Sequence, residues 1–561
     1  MFNPFQKFSQ VLKTYTYADK ILSVIAMVVF LLMFVKMIIF PYGLFGFGNT
    51  SIYTEGLVAK NGIQNINPLF IDYNEADREI SRLIFSGLMK YDPVKKAVVD
   101  DMASLTINEA KTEYTFKMRD GLTWHDGQPV TVDDVYFTFH DIIADTSFSN
   151  EILKTNFSGV KIEKVDNKTI KFSLEKPNIF FISNFTVGIL PKHILGGVAP
   201  SDILQHDFNK KPIGTGPYMV TEPVEAFSDG RTQLTVSRNP GYYGEISEIE
   251  FMRFIVYPTM DNLVDEISAV NGVVKVSGSY ISEFIDNERF ELLPYRLPQY
   301  SAVFINLESK ILKDNLKVRL ALQKAVDKEA LVGKSLDKIR IDTPLLELNQ
   351  EEWIYQANEG EANGALKEAG FEYHADDEDH KGIRYNSDDE SLELRLMARL
   401  YDDGSYQFEE TKKTVKFLEE SWEKICFSIQ VEFLPLETFN EKVASRQYDL
   451  LLVGQNLGYN LDTYSYWHSA QANPLGQNLS NYKSFQVDSL IESIRSVFDL
   501  PTRQDRLKEL AIKIREDIPA IFLYTPVYYY ASDGKVSGIS MEGVVFPSDR
   551  FAGIEKWKFT R

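Results

Sequence analysis

The residues best suited to recognise another molecule are concentrated in one stretch, which reads GQNLGYNLDTYSYWHSAQ from Gly454 to Gln471. Aromatic rings can cover the apolar part of a bound molecule while a few polar groups orient it. The same rings could instead pack on the hydrophobic core, as large aromatic side chains often do. The recognition residues predicted in this stretch are Asn456, Tyr459, Asp462, Tyr464, Tyr466, Trp467 and His468.

Catalytic signatures are missing from the sequence, which contains no HExxH, Walker A, GxSxG or paired CxxC pattern. Paired carboxylates such as Asp462 and Glu75 could do acid–base chemistry only if the fold placed them a short distance apart across a cleft. An exported hydrolase of peptide or glycan is therefore kept as the alternative, and we expect no enzymatic activity.

A cluster of acidic and histidine side chains between His374 and His380 contains groups that could bind a divalent cation. Its spacing differs from that of a calcium-binding loop. The surrounding acidic run is typical of a solvated hairpin. We therefore expect neither a metal site nor a cofactor.

The recognition stretch follows an alternation of strand and helix patterns. Strands are predicted at 392–397, 429–434 and 449–453, with helices at 411–425 and 439–443. Such alternation indicates a mainly parallel sheet covered by helices. In open sheets of this type, solutes bind beyond the carboxyl ends of the strands. Gln455, Asn456 and Leu457 come at such an end and are predicted to contact a ligand.

Length and charge narrow the function further. A chain of 561 residues is long for one core, so two or three domains are expected. The formal net charge of −20 argues against nucleic acid, whose phosphates require a basic face. The single cysteine, Cys426, excludes an internal disulfide.

The N-terminal part of the chain predicts a membrane anchor. The run from Ile21 to Phe40 is apolar except for Ser23 and Lys36, which is enough to span a hydrocarbon core of about 30 Å. Lysines precede the run and none follows it closely, so the N-terminus is expected in the cytoplasm and the remainder outside. A cleaved signal peptide is the main alternative.

The segment from Tyr114 to Ile143, YTFKMRDGLTWHDGQPVTVDDVYFTFHDII, combines an alternating strand, a Trp-bearing turn and a helix start with capping-box spacing at Thr131 and Asp134. This segment resembles "tyt-F-x-L-R-x-G-x-x-W-x-D-G-x-P-x-T-A-x-D-V" of the family 5 extracellular solute-binding proteins, the peptide-binding receptors of ABC importers. IGTGPY at 213–218, NPGYYG at 239–244 and VRLALQKAVDK at 318–328 resemble further elements in the family's order. IGTGPY is expected to be a structural turn.

The resemblance covers about residues 53–561 and implies an α/β, two-lobed, periplasmic-binding-protein-like (type II) fold with an extra domain, preceded here by one transmembrane helix. The predicted boundaries are 1–20 for the cytoplasmic segment, 21–41 for the transmembrane anchor, 42–52 for the linker, 53–85 with 188–298 and 485–561 for lobe I, 86–187 for the extra domain of lobe I, and 299–484 for lobe II.

The resemblance also implies positions for the ligand. In the family, the residues just before the first helix face the ligand, and they fall here on Tyr73, Asn74 and Glu75. A carboxylate in the family's "G-W-x-x-D-Y-x-D-P" segment pairs with the α-ammonium of the peptide, whose backbone binds as an added strand. Gly458 occupies the place of that carboxylate, so Asp462 or Glu75 is expected to replace it.

A membrane-tethered, monomeric receptor on the extracellular or periplasmic side of the cell membrane is the function that the resemblance implies. A short peptide is the expected solute, with sugars, haem or metal chelates left open, and an ABC permease is the expected partner. A scaffold or sensor that keeps the fold and contacts a different membrane protein is a further alternative.

Overall fold

The computed structural model of the protein describes residues 16, 52–348, 353–373, 382–402, 405–459 and 462–560. Ile52, predicted as the last linker residue, is instead the first residue of the first strand. Apart from Thr16, the predicted cytoplasmic segment, transmembrane helix and remaining linker lie outside the described residues, as do residues 374–381 of the acidic run. Within the described ranges, no helix has the length and apolar character needed to cross a bilayer.

The strands are β1 Ile52–Val58, β2 Met89–Asp92, β3 Ala97–Asp100, β4 Ala103–Ile107, β5 Glu113–Met118, β6 Lys161–Lys164, β7 Thr169–Ser173, β8 Tyr218–Val220, β9 Glu225–Ala226, β10 Thr232–Arg238, β11 Phe251–Tyr257, β12 Gly272–Val276, β13 Glu291–Arg296, β14 Gln299–Ile305, β15 Lys338–Arg340, β16 Glu393–Arg399, β17 Ser428–Leu434, β18 Leu450–Asn456, β19 Ala520–Ser532, β20 Val536–Ser537 and β21 Lys558–Phe559.

The α-helices are α1 Glu75–Ile84, α2 Val132–Tyr136, α3 Glu151–Asn156, α4 Lys192–Leu195, α5 Met260–Asp265, α6 Tyr280–Ile285, α7 Leu316–Ala325, α8 Lys328–Val332, α9 Glu359–Glu368, α10 Tyr406–Glu423, α11 Leu436–Ala444, α12 Tyr464–Trp467, α13 Phe485–Ser496 and α14 Leu500–Asp517. Two 3₁₀ segments matter for the site, Ile71–Tyr73 and Pro547–Lys556.

A 13-stranded sheet runs through the protein in the order β17-β16-β18-β14-β19-β12-β1-β11-β10-β8, with β13 and β15 also paired to β19 and β9 paired to β10. Strand β19 is 13 residues long. Its first part pairs with β14, and its last part pairs with β12 and β13. This one strand therefore belongs to both halves of the sheet.

The alternating pattern between 392 and 453 predicted its elements correctly. Strands β16 and β17 are parallel, as are β16 and β18, and helices α10 and α11 connect them. Strand β18 also pairs with β14 in the antiparallel direction, which the pattern did not show. The sheet is therefore mixed at this point, and the end of β18 lies beside the start of β14.

The capping box predicted within the segment from Tyr114 to Ile143 is also present. The backbone N–H and the hydroxyl of Thr131 donate to Asp134 Oδ2, at 2.8 and 3.0 Å. Helix α2 starts at the next residue, and the chain continues as a π-helical turn over Phe137–Ile143. Capping satisfies free N–H groups of the first turn and so defines where the helix begins.

Two buried clusters contain residues from more than one of the predicted domains. Phe116 and Phe172 of the predicted extra domain share one cluster with Tyr53 of lobe I. Helices α13 and α14, predicted with lobe I, contribute Ile491 and Leu510 to a cluster that contains β14 and β18 side chains. By packing, the chain between 485 and 517 therefore belongs with predicted lobe II.

Candidate ligand-binding site

Helix α1 presents a row of charged side chains. Asn74 caps the helix, because its Oδ1 accepts the N–H of Ala76 at 2.9 Å while its amide donates to the carbonyl of Gly62 at 2.7 Å. Glu75, Arg78 and Arg82 are spaced by three and four residues, which places them on one face of the helix. The opposite face carries Ile80, Leu83 and Ile84, all fully buried. Burial of that apolar face fixes which way the charged row points.

The IGTGPY segment holds the end of this helix, which confirms it as a structural turn. The N–H of Gly216 donates to the carbonyl of Ile84 at 2.8 Å, and a Cβ on Gly214 would overlap that same carbonyl. His125 from the Trp-bearing turn accepts the Gly214 N–H through Nδ1 and faces the Gly216 carbonyl through Nε2, both at 3.1 Å. Glycine is required here because the two backbones touch.

Lys275 meets the start of α1 from strand β12. The register of β12 against β19 shifts between Val273 and Val276, and Lys275 has φ +60° within that bulge. Its ammonium pairs with the carboxylate of Glu75 and lies 5.2 Å from the centre of the Tyr528 ring. A bulge re-aims a side chain that regular strand geometry would point elsewhere.

The Glu75–Lys275 pair is recessed yet reachable from solvent. The side chains are 56% and 24% exposed, respectively. Burial raises the pKa of Glu75, but the charge of Lys275, followed by that of Arg78, outweighs it and leaves this pKa below its usual value. Burial alone would lower the pKa of Lys275. The negative charge of Glu75 has the larger effect, so this pKa lies above its usual value. Both groups are therefore ionised at neutral pH.

Tyr528 connects this pair to the other half of the sheet. The side-chain amide of Gln299 donates to the Tyr528 hydroxyl at 2.5 Å. Gln299 is the first residue of β14, and its register partner on β18 is Asn456. The end of β18, where ligand contacts are predicted, is therefore connected to Lys275 through Gln299 and Tyr528.

Tyr459, three residues after Asn456, contacts the 3₁₀ segment Pro547–Lys556. Its hydroxyl donates to Asp549 Oδ1 at 2.8 Å. Its ring packs against Tyr91 and Phe546, with centroids 4.8 and 5.0 Å apart. The guanidinium of Arg78 lies 4.6 Å from the centre of the Phe546 ring, which leads back to helix α1.

Strand register joins Gln299 to Asn456, and sequence joins Asn456 to Tyr459, while the other neighbours in this series interact through their side chains. We call this series of residues the polar ring. Its members are Glu75, Arg78, Lys275, Tyr528, Gln299, Asn456, Tyr459, Asp549 and Phe546. Six of them come from α1, β12, β14, β18 and β19, and the other three come from the segment after β18 and from the 3₁₀ segment Pro547–Lys556 with the residue before it. Both predicted lobes therefore contribute. Carboxylates, cations, amides and phenols of this kind bind and orient a ligand by hydrogen bonds and charge.

The predicted site residues divide into three groups in the structure. Glu75, Asn456 and Tyr459 belong to the polar ring, while Asn74 caps α1 beside it. Tyr73 is 59% exposed and stacks on Phe70 at 6.1 Å. Their roles towards a ligand stay predictions.

The side chains of a second group of predicted residues are buried in the protein core. Trp467 is 1% exposed and lies 6.0 Å from both Phe304 and Phe522. Gln455 is buried and accepts a hydrogen bond from the Tyr300 hydroxyl at 2.5 Å. Leu457 is buried in the same cluster. Their side chains have little surface left for a ligand. The predicted ligand contact at 455–457 can therefore be made only by the backbone.

The third group consists of Asp462 and Tyr464, which contact helix α13. Asp462 lies 3.4 Å from Arg495 Nε, and the same guanidinium is 4.3 Å from the Tyr464 ring centre. Tyr464 also stacks on His468 at 4.3 Å. Burial raises the pKa of Asp462, although Arg495 acts in the other direction. This carboxylate therefore has a cationic partner within the protein.

Sequence reasoning missed Arg78, Lys275, Gln299, Tyr528, Phe546 and Asp549. The spacing of Glu75, Arg78 and Arg82 on one helix face was a usable signal. Lys275 stands in a valine-rich strand, where a charged residue is unusual. For Tyr528 and Asp549 the local sequence carries no such signal. Among the described residues, no three His, Cys, Asp or Glu side chains are grouped to hold a metal ion.

An α/β fold around a mixed sheet, with polar side chains from both of its halves brought together, is typical of a solute-binding protein. The chain belongs to the bacterial extracellular solute-binding proteins, family 5, whose middle-region model matches residues 97–476. This confirms the resemblance found in the sequence.

Individual relatives agree with this assignment. The chain is 26% identical over 505 residues to the oligopeptide-binding protein AppA of Bacillus subtilis, covering 86% of this chain and 88% of the relative. The structure of that AppA in complex with a nonapeptide superposes with a TM-score of 0.71 at 23% identity, over 91% of this chain and 99% of AppA. NikZ of Campylobacter jejuni in complex with Ni(L-His) gives 0.71 at 25% identity, over 90% and 99%.

Proposed function

We propose that this protein is a membrane-tethered receptor that captures a short peptide between two lobes and delivers it to an ABC permease. The observation that carries the proposal is the polar ring, because residues of both predicted lobes contribute to it. The similarity to the oligopeptide-binding protein AppA over most of both chains supports peptide as the solute. Binding and release leave the peptide chemically unchanged.

The two lobes of the proposed type II fold meet at strand β19. We place the hinge where β13 passes into β14 and where β19 changes partners, near Thr525, whose hydroxyl donates to the Gln299 carbonyl at 2.8 Å. Rigid lobes that rotate about a few such residues can close on a ligand that contacts both of them. The extra domain, 86–187, packs with lobe I in this scheme.

The proposed ligand lies along the polar ring, next to the backbone at the end of β18. Main-chain groups there can pair with an extended peptide as an additional strand. Tyr73, with an exposed ring, and Tyr464, with a half-buried ring, stay predicted ligand contacts. The two carboxylates predicted to bind an α-ammonium, Glu75 and Asp462, each have a cationic protein partner, so a ligand ammonium would compete with it.

We further propose that residues 21–41 anchor the receptor in the cell membrane, with the solute-binding part on the extracellular or periplasmic side. The apolar composition of that run and the lysines before it support this orientation. Protease digestion of intact cells tests it: residues beyond 52 should be degraded while a short N-terminal fragment stays protected. Recovery of the whole chain in the medium would contradict an uncleaved anchor.

The function itself is tested by native mass spectrometry of the full-length protein, released from mild detergent after incubation with a mixed short-peptide library. An adduct with the mass of an intact peptide supports the receptor. Its loss in Gln299→Ala, but not in the exposed turn variant Gln128→Ala, supports the polar ring as the site.

Two results would contradict the proposal. If the peptides stay intact and no adduct forms, the peptides of the library are not ligands, and another solute class is favoured. Shortened peptides in the same sample would indicate a hydrolase.

A further inference from the structure

One ring of the predicted extra domain faces away from that domain. The 3₁₀ segment Ile179–Thr186 buries Phe181 and Phe185 among the other aromatic rings of the extra domain. Phe180 is half-buried and packs instead against the cluster that contains side chains of β14, β18, α13 and α14. The guanidinium of Arg503 on α14 lies 6.0 Å from the centre of the Phe180 ring. The extra domain therefore contacts the part of the chain that packs with predicted lobe II.

Two lysines of the extra domain face the same pair of helices. Lys176 Nζ lies 4.0 Å from Oε1 of Glu492 on α13. Lys111 Nζ lies 5.3 Å from the centre of the Phe498 ring, which belongs to the short connection between α13 and α14. The face of an aromatic ring carries partial negative charge. The extra domain thus contributes cations to this contact, and α13 and the residues after it contribute the groups that attract them.

These contacts are individually weak. The Lys176 and Glu492 side chains are 85% and 58% exposed, so water and salt screen their attraction. The two distances from cation to ring are close to the outer limit of that interaction. Phe181 and Phe185, in contrast, belong to the large buried cluster that the extra domain shares with lobe I. The extra domain is therefore held firmly by lobe I and only lightly by α13 and α14.

The same surface is connected to the polar ring. The segment that carries Phe180 lies against strand β2. Tyr91 of β2 packs on Tyr459, a member of the polar ring, with ring centroids 4.8 Å apart. The contact at Phe180 and a ligand in the polar ring would therefore both favour the same position of the extra domain relative to lobe II.

We infer that the extra domain is a strap, which docks reversibly on α13 and α14 through Phe180, Lys111 and Lys176 and whose release controls how fast a bound ligand leaves. The inference rests on the proposed receptor function and gives the extra domain a role in it. Contacts that form only when the two parts are together stabilise that state. They therefore lower the dissociation rate more than they change the association rate.

Cross-linking of the full-length protein in mild detergent with a water-soluble carbodiimide tests the contact without a ligand. The reagent activates a carboxylate, and an adjacent lysine amine then forms an amide and releases the reagent as its urea. We expect a Lys176–Glu492 cross-link in the wild type, with a yield about threefold lower in Phe180→Ala. Lys483 and Glu308, paired at 2.8 Å within predicted lobe II, are the internal control, and their cross-link should not change.

The second measurement is the dissociation rate of peptides bound from the mixed short-peptide library. Native mass spectrometry follows the loss of their adducts after dilution. Phe180→Ala should release them about 5- to 30-fold faster than the wild type. Phe227→Ala is the matched control, because it removes another partly exposed ring beside a guanidinium, that of Arg231 at 5.4 Å, within lobe I.

Variants of the two lysines test the charged part of the strap. Lys111 has φ +61°, a conformation that asparagine tolerates, so Lys111→Asn removes the ammonium and keeps the turn. We expect dissociation about two- to fivefold faster. Lys96→Asn makes the same exchange at φ +50° in the turn between β2 and β3 and is the control. Lys176→Glu should have a similar effect, which a second change, Glu492→Lys, should reverse.

The possible failures are distinguishable. The strap would be overturned by equal Lys176–Glu492 cross-linking in the wild type and Phe180→Ala, or by its absence beside a normal Lys483–Glu308 cross-link. Equal dissociation rates of Phe180→Ala and Phe227→Ala would also overturn it, while leaving a peptide receptor in place. If Phe180→Ala does not fold, Lys111→Asn and the charge reversal decide. If no peptide binds, the peptide function is contradicted, and the cross-linking comparison decides the strap by itself.

Discussion

The phenol of Tyr459 donates a hydrogen bond of 2.8 Å to the carboxylate of Asp549, which is fully buried. Tyr459 follows β18, and Asp549 lies in the 3₁₀ segment that packs on helix α1. The other oxygen of Asp549 accepts the N–H groups of Val545 and Phe546, at 3.0 and 2.8 Å. Asp549 therefore ties its own turn and the segment after β18 together.

Changing Tyr459 to Phe should weaken ligand binding with little loss of folding stability. The ring keeps its packing on Tyr91 and Phe546, and Asp549 keeps its two backbone donors. Only the contact between the predicted lobes is lost, which we expect to lower peptide affinity by about three- to tenfold. Calorimetric titration measures the affinity. Tyr280→Phe, which removes an exposed bond to Asp261, is the control, and equal effects of both variants would contradict this role.

Gly278 should tolerate alanine poorly because of Tyr406. Gly278 has φ +61°, and a Cβ there would overlap the Tyr406 ring. Gly121 has φ +75° with open space around its Cβ position, so Gly121→Ala reports the backbone penalty alone, about 1 kcal/mol. We expect Gly278→Ala to reduce the free energy of unfolding by about 1 to 3 kcal/mol more. Urea unfolding compares the two, and equal losses would mean that the ring moves aside freely.

Protonation of His125 should destabilise the protein at acidic pH. Burial lowers the pKa of His125 to about 4, and Nδ1 must stay unprotonated to accept the Gly214 N–H. The unfolded chain takes up this proton near pH 6.5, so stability falls as pH falls from about 6.5 towards 4. At pH 5 the loss is about 2 kcal/mol relative to pH 7.5.

Urea unfolding at both pH values, on the wild type and His125→Gln, measures this effect. The glutamine side chain does not titrate, so the variant should lose about 2 kcal/mol less between the two pH values. The same pH dependence in both proteins would assign the acid sensitivity to other groups.

Trp467 and Tyr464, both predicted as ligand residues, should behave differently. Trp467→Ala should lower the free energy of unfolding by about 3 to 5 kcal/mol, because it leaves a large cavity between Phe304 and Phe522. Tyr464→Ala, at a half-buried position, should cost about 1 kcal/mol. Urea midpoints measure both. If Trp467→Ala keeps its stability but loses peptide binding, the indole contacts the ligand, which would contradict its assignment to the core.

Local patterns predicted the elements that depend on neighbouring residues. The strand and capped helix around Thr131, the alternation from β16 to β18 and the turn at 213–218 all follow from side-chain period, capping and glycine placement. The family motifs add the fold, because several of them occur in order along the chain. Trp467 shows the limit, since an aromatic residue in a polar loop gives no sign of which way its ring turns.

Local periodicity thus determined the α/β elements, and the family motifs determined a solute-binding protein and predicted one of its binding segments. The tertiary structure alone decided which side chains come together in the candidate site. Glu75 and Lys275 are 200 residues apart in sequence, and they meet because the apolar face of α1 and the bulge in β12 are both set by long-range packing. Contacts of that kind depend on the register of distant strands, which no local pattern specifies.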